Sequence, residues 1–115
     1  MDLNAPYPAQ VSLTDEGDKG FVFRSCPTGQ RLYTYDLDPA GQTACVKGCL
    51  LLWEPVIAPP RSKTLGDWTA IQRPEEVLQW AYRGKPVYTL VHDQPYYPGG
   101  DGMDNGRWHL LPYEK

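Results

Sequence analysis

Hydrophobic and polar residues alternate along this chain in short runs, and nearly every run is cut by Gly, Pro or Asp. Leu32-Tyr33-Thr34-Tyr35 and Val87-Tyr88-Thr89-Leu90 are rich in β-branched and aromatic residues, the composition of strands. A period of two puts Tyr33, Tyr35 and Leu37 on one face, matched by Tyr88, Leu90 and His92. Gly29 and Gly84 stand where a turn would feed each strand. Asp38-Pro39 stops the first strand, because the Asp side chain captures downstream backbone and Pro cannot continue a ladder. Phe21-Val22-Phe23-Arg24 and Leu78-Gln79-Trp80-Ala81-Tyr82-Arg83 are the expected partners, which makes two hairpins. Trp68-Thr69-Ala70-Ile71-Gln72 and Arg107-Trp108-His109-Leu110-Leu111 are further strands. Two windows compete for helix. Thr43 to Trp53 has an N-cap in Thr43 and a stop in Pro55. Arg73 to Leu78 has room for one turn, with Pro74 at its first position.

The same pattern occurs twice. Gly29-Gln30-Arg31-Leu32-Tyr33-Thr34-Tyr35-Asp36-Leu37-Asp38 aligns without gaps to Gly84-Lys85-Pro86-Val87-Tyr88-Thr89-Leu90-Val91-His92-Asp93, and Trp53 to Trp108, at an offset of 55 (88 − 33 and 108 − 53). Two copies are too few for a solenoid, so the reading is a duplicated, pseudo-symmetric domain. The expected fold class is mainly β (small α+β). It consists of antiparallel hairpins in two pseudo-symmetric repeat units (about 20–53 and 75–111), with one short helix near 43–53. Residues 1–19 read as an N-terminal extension, and the Pro-rich stretch 54–66 as the connection between copies.

Composition narrows the function classes. A length of 115 residues gives one domain. Twelve prolines and eleven glycines leave little room for long helices. The formal charge is −3 and the basic residues are scattered singly, so no stripe exists to hold nucleic acid. No apolar run approaches the length of a membrane span. Met1–Pro8 shows neither a signal peptide nor a lipobox, which fits a cytoplasmic protein or a mature segment whose export signal has been removed.

Tyr33-Thr34-Tyr35-Asp36-Leu37-Asp38 fits Y-x-[FWY]-x-x-D, and the chain from about Phe21 to Leu111 resembles the bacterial secreted-repeat family of predicted lipoproteins, which has no characterised function. The resemblance takes in Cys45-x-x-x-Cys49 followed by Trp53, the stretch Gln79 to Tyr88, and the closing Pro98-Gly99-Gly100-Asp101-Gly102 and Gly106-Arg107-Trp108-His109. This chain has Trp53-Glu54-Pro55 where the family usually has Trp-Pro-Pro, and Cys26 lies outside the pattern. The resemblance implies a periplasmic, outer-membrane-anchored or secreted location in the bacterial envelope, and it implies no activity.

Cys45-Val46-Lys47-Gly48-Cys49 is the best chemical candidate, with three readings open. An oxidising envelope favours a structural disulfide between Cys45 and Cys49. That bond needs a non-helical turn, because helical i, i+4 Cβ atoms lie too far apart. Alternatively, the two thiolates bind copper(I), with His92, His109 or Met103 completing the site. The third reading is a redox pair. Asp38 and Asp93 read as structural turn residues, since a catalytic pair needs two carboxylates in different environments. The Asp101 to Gly106 loop fails as a calcium loop, because Pro112 stands where the terminal Glu belongs. Tyr33, Tyr35, Tyr88, Trp53 and Trp108 read as structural motif residues. No catalytic residues are expected. The function expected is that of a non-enzymatic envelope protein binding an unknown ligand or envelope partner; the alternative is copper(I) or thiol redox handling through Cys45 and Cys49.

Overall fold

The computed structural model describes residues 7–15, 21–25, 29–39, 41–45, 48–74, 76–91 and 102–111. The architecture is mainly β with antiparallel pairing throughout. The strands are β1 (Val11–Asp15), β2 (Phe21–Ser25), β3 (Tyr33–Tyr35), β4 (Trp53–Pro55), β5 (Ile57–Ala58), β6 (Trp68–Gln72), β7 (Leu78–Tyr82), β8 (Lys85–Leu90) and β9 (Trp108–Leu110). β1 and β2 form a two-stranded sheet. The other seven form a second sheet around the path β5-β7-β8-β3-β9, with β4 added to β8 and β6 to β7.

The pairings repeat. Tyr33 lies opposite Tyr88 across β3 and β8, so the two strands aligned in sequence are partners of each other. β4 pairs with β8 through Trp53↔Leu90, Glu54↔Thr89 and Pro55↔Tyr88. Adding 55 to the first partner and subtracting it from the second gives Trp108↔Tyr35, His109↔Thr34 and Leu110↔Tyr33, the register of β9 on β3. The loop bonds follow suit: Val56 N–H donates to Val87 O as Leu111 N–H does to Leu32 O, and Val91 N–H to Leu52 O as Asp36 N–H does to Arg107 O. The β1–β2 register reappears as β6–β7 at an offset of 57, Val11↔Ser25 becoming Trp68↔Tyr82. The two extra residues fall between Ser25 and Gly29, where the second hairpin has only Arg83 before Gly84. That second hairpin turns on two residues, Arg83 and Gly84, with φ of 50° and 83°. Positive φ at both positions marks the type I′ turn that suits strand twist.

The structure departs from the sequence reading in three places. Val11–Asp15, read as part of an extension, is a strand pairing with β2 along its full length. The helix expected over Thr43–Trp53 is a single 3₁₀ turn at Gly48–Leu51, and Trp53 begins β4. Side chains take the backbone groups a helix would need: Asp38 Oδ1 accepts from Ala44 N–H at 2.6 Å, and Thr43 Oγ1 accepts from Cys45 N–H at 3.2 Å. This competition is the known habit of Asp and Thr at turns. The Arg73–Leu78 window likewise holds a turn, closed by Arg73 N–H to Val77 O, in place of a helix. The one α-helical turn among the described residues is α1, Met103–Gly106.

The core has two parts. Val11, Phe23, Leu32, Val56, Trp68, Trp80, Val87 and Leu111 belong to one. The other is Tyr33, Cys45, Trp53, Tyr88, Leu90 and Trp108. Trp53 and Trp108, counterparts in the repeat, stack at 3.7 Å and 6°. Tyr33 meets Trp53 edge-on at 5.2 Å, and Tyr88 meets Trp108 edge-on at 5.2 Å. The alternation expected of β8 gives way to burial from Pro86 through Leu90, because a central strand is covered on both faces. In urea unfolding, Trp108→Ala should cost about 3–5 kcal/mol. The Trp53→Ala/Trp108→Ala double variant should lose less than the sum of the singles, since stacked rings share one contact.

Candidate functional site

The segment between β3 and β4 carries the chemistry. Asp36 to Asp38 turn out of β3, with Asp38 N–H returning to Tyr35 O. Cys45 and Cys49 form a disulfide with their Cα atoms 5.3 Å apart, within the range a relaxed bridge uses. The bridge clamps the 3₁₀ turn. Cys45 is fully buried, while Cys49 is partly exposed.

Under Cys45 lies a buried polar network. Arg73, 1% exposed, donates to Cys45 O at 2.7 Å, Gln79 Oε1 at 2.8 Å and Thr43 Oγ1 at 3.2 Å. Gln79 passes a bond on to Val87 O at 2.8 Å. Thr43 Oγ1 sits 2.5 Å from Tyr88 Oη, which donates to Asp38 Oδ2 at 2.8 Å. The proton order follows from counting. Arg73 and Cys45 N–H both donate to Thr43 Oγ1, so its own proton goes to Tyr88, and the Tyr88 proton goes to Asp38. Among the described residues no buried side-chain polar atom lacks a partner. Burying a guanidinium is costly unless it finds acceptors, and Arg73 finds three in this network.

Burial also sets the titration. Desolvation raises the Asp38 carboxyl above its ordinary value of 3.8, outweighing the Ala44 and Tyr88 hydrogen bonds and the Arg73 charge. Desolvation likewise pushes the Tyr88 phenol far up, aided by the Asp38 charge. Tyr88 is therefore a neutral hydrogen-bonding group and not a nucleophile or base.

At the surface, Leu51 is 82% exposed and Leu52 52% exposed. Clefts open on both sides of the clamped turn. One of about 330 Å³ is lined by Tyr35, Cys49, Leu52, Trp53, Met103 and Trp108. The other, of about 340 Å³, is lined by Leu50, Trp53, Glu54, Pro55, Ile57 and Val91. Trp53 forms part of both walls.

Comparison with protein-family models, with curated proteins and with solved structures finds no match. The site must therefore be read from its own geometry. Cys45 and Cys49 are brought together and joined as a disulfide. His109, one of the three residues offered to complete a copper site, is exposed, with Nε2 2.8 Å from Asp36 Oδ2. Among the described residues no group of three or more His, Cys, Asp or Glu is placed to hold a metal. His92, Asp93, Cys26 and Asp101 lie outside the described residues. Asp38, read as a turn residue, accepts from Ala44 N–H and from Tyr88 Oη on β8. The sequence reading missed Arg73, Gln79 and the Leu51/Leu52 surface. A lone Arg between Gln72 and Pro74 carries no local sign of burial, while the apolar run Leu50-Leu51-Leu52 next to a cysteine was a usable signal.

Because the folded-state value of Asp38 lies above its unfolded one, the protonated form is favoured in the fold. Its stability contribution is complete below about 3.8 and is lost as pH rises through the raised value. Asp38→Asn removes that titration. The melting temperature of the variant minus that of the wild type should rise with pH from about 3 to 7. A difference that is flat or falls over that range contradicts the assignment.

Proposed function

We propose that this chain is a non-enzymatic envelope protein that binds a partner or ligand through the disulfide-clamped Gly48–Leu52 surface. The observation that carries the reading is the exposure of Leu51 and Leu52 on a covalently fixed turn flanked by two aromatic-walled clefts. Adjacent leucines held out in water by a crosslink contribute nothing to the core of a monomer. Burying Leu51 against a partner contributes about 1.5–3 kcal/mol, and the half-covered Leu52 less; the tryptophans walling the clefts beside them are the residue type on which interface energy concentrates.

The disulfide supports an extracytoplasmic location, since such bonds persist in oxidising compartments. The resemblance to the secreted-repeat family points the same way. The repeated strand registers support the reading that a half-length unit was copied. No helix among the described residues is long and apolar enough to cross a membrane.

The test is site-specific photo-crosslinking in the native envelope, with the probe at position 51 and a control probe at exposed Lys63. A partner captured from position 51 alone, and bound again when purified, is the expected result. Leu51→Ser/Leu52→Ser should weaken that binding at least about tenfold while leaving the melting temperature within a few degrees. Equal capture from both positions, or unchanged affinity in the double variant, sinks the proposal. A second measurement bears on location: denatured monomer isolated without reductant should titrate no more than one thiol per chain, and three after reduction.

A further inference from the structure

We infer that the Cys45–Cys49 bridge is a site of thiol–disulfide exchange, attacked at Cys49 by a dithiol protein, with Cys45 as the buried leaving sulfur. The reading rests on the asymmetry of the pair. Exchange requires in-line access to one sulfur and a stabilised thiolate on the other. Cys49 lines the cleft beside exposed Leu52, whereas Cys45 is fully buried. An incoming thiolate therefore reaches Cys49 and displaces Cys45.

The leaving side is prepared for that charge. The Arg73 guanidinium, itself buried, is anchored on the carbonyl of Cys45. A positive charge held on the same residue offsets part of the cost that burial imposes on the departing thiolate. The Cys45 end is also held independently of the bridge, through Thr43 Oγ1 on its N–H and Arg73 on its carbonyl. Reduction thus frees the Cys49–Leu52 side of the turn while the network under Cys45 persists.

The chemistry balances with a dithiol as reductant. Its first thiolate attacks Cys49 Sγ, the bridge breaks, and Cys45 leaves as a thiolate that takes up a proton. The second thiol of the partner then attacks the mixed disulfide and releases Cys49. The net change is one disulfide reduced here and one dithiol oxidised there, with two electrons transferred. Leu51 and Leu52 supply the apolar contact beside the attacked sulfur. The inference rests on the docking surface for recognition but not for its chemistry, and it names the class of partner that surface would take.

The experiment uses the full chain carrying Cys26→Ser. Reduced glutathione is the first probe, with acid quenching and peptide mapping of the adduct. Glutathione on Cys49 should exceed glutathione on Cys45 by at least tenfold, and near-ultraviolet circular dichroism of the tryptophan stack should persist after full reduction. Adduct on Cys45, or reduction no faster than global unfolding, overturns the exchange site. The second probe is a purified Cys-x-x-Cys dithiol protein at equal thiol concentration. It should reduce the bridge at least about tenfold faster than glutathione, and Leu51→Ser/Leu52→Ser should slow it by a larger factor than it changes the glutathione rate. Equal rates for the two probes, or indifference to the double substitution, overturn a protein dithiol as the partner. The glutathione arm judges the chemistry alone, so its failure is distinguishable from failure of the docking surface.

Discussion

The pairing of β3 with β8, sealed by the stack of Trp53 on Trp108, is the contact on which the rest of this fold depends. Tyr33 faces Tyr88 across that pairing, and β4 and β9 add to its two sides in matching registers. Neither half can complete its sheet alone. The half from β1 to β4 supplies β3 and β4 to a sheet whose β8 and β9 belong to the other half. The two indole rings then meet face to face at 3.7 Å, and each receives the edge of a tyrosine from its own unit's β3 or β8. Aromatic packing of this kind adds directional preference to simple burial, so the rings fix how the halves are oriented as well as that they adhere.

The matching registers carry a polar network that is not matched in the same way. Asp38 and Thr43 come from the first unit, while Tyr88, Arg73 and Gln79 come from the second unit and its approach. This network takes the place of a helix in the segment after β3 and fixes Cys45 from below. The disulfide then fixes the turn that follows, and the turn presents Leu51 and Leu52 to solvent. Each step restrains the next, so a buried charge in one half sets the shape of an exposed surface in the other. The raised carboxyl of Asp38 is the measurable trace of that burial.

Much of the β framework was legible. The strands at Tyr33–Tyr35, Trp68–Gln72, Leu78–Tyr82, Lys85–Leu90 and Trp108–Leu110 coincide with runs of β-branched and aromatic residues between Gly, Pro and Asp. The disulfide was one of three readings left open for Cys45 and Cys49, and it required the segment not to be helical, which only the fold decided. Gapless alignment at 55 stopped short of the first two strands of each unit, since two extra residues between Ser25 and Gly29 shift their register to 57. Val11–Asp15 therefore passed for an extension. The helix at Thr43–Trp53 was misread for a different reason: capping residues and a proline stop describe a helix only if the intervening backbone is free to bond to itself.

Local pattern alone was enough for strand character and for the offset linking Tyr33 to Tyr88, because each depends on residue type and spacing along a few neighbours. The fate of Arg73, the captured backbone of Ala44 and Cys45, the burial of β8 on both faces and the outward display of Leu51 were settled only by the folded chain. The bonds from Arg73 to Cys45 and from Tyr88 to Asp38 join residues 28 and 50 positions apart in sequence, and no short-range rule of side-chain chemistry states which distant polar group will meet which. Desolvation is a property of the assembled interior, and it decides which polar groups must find one another.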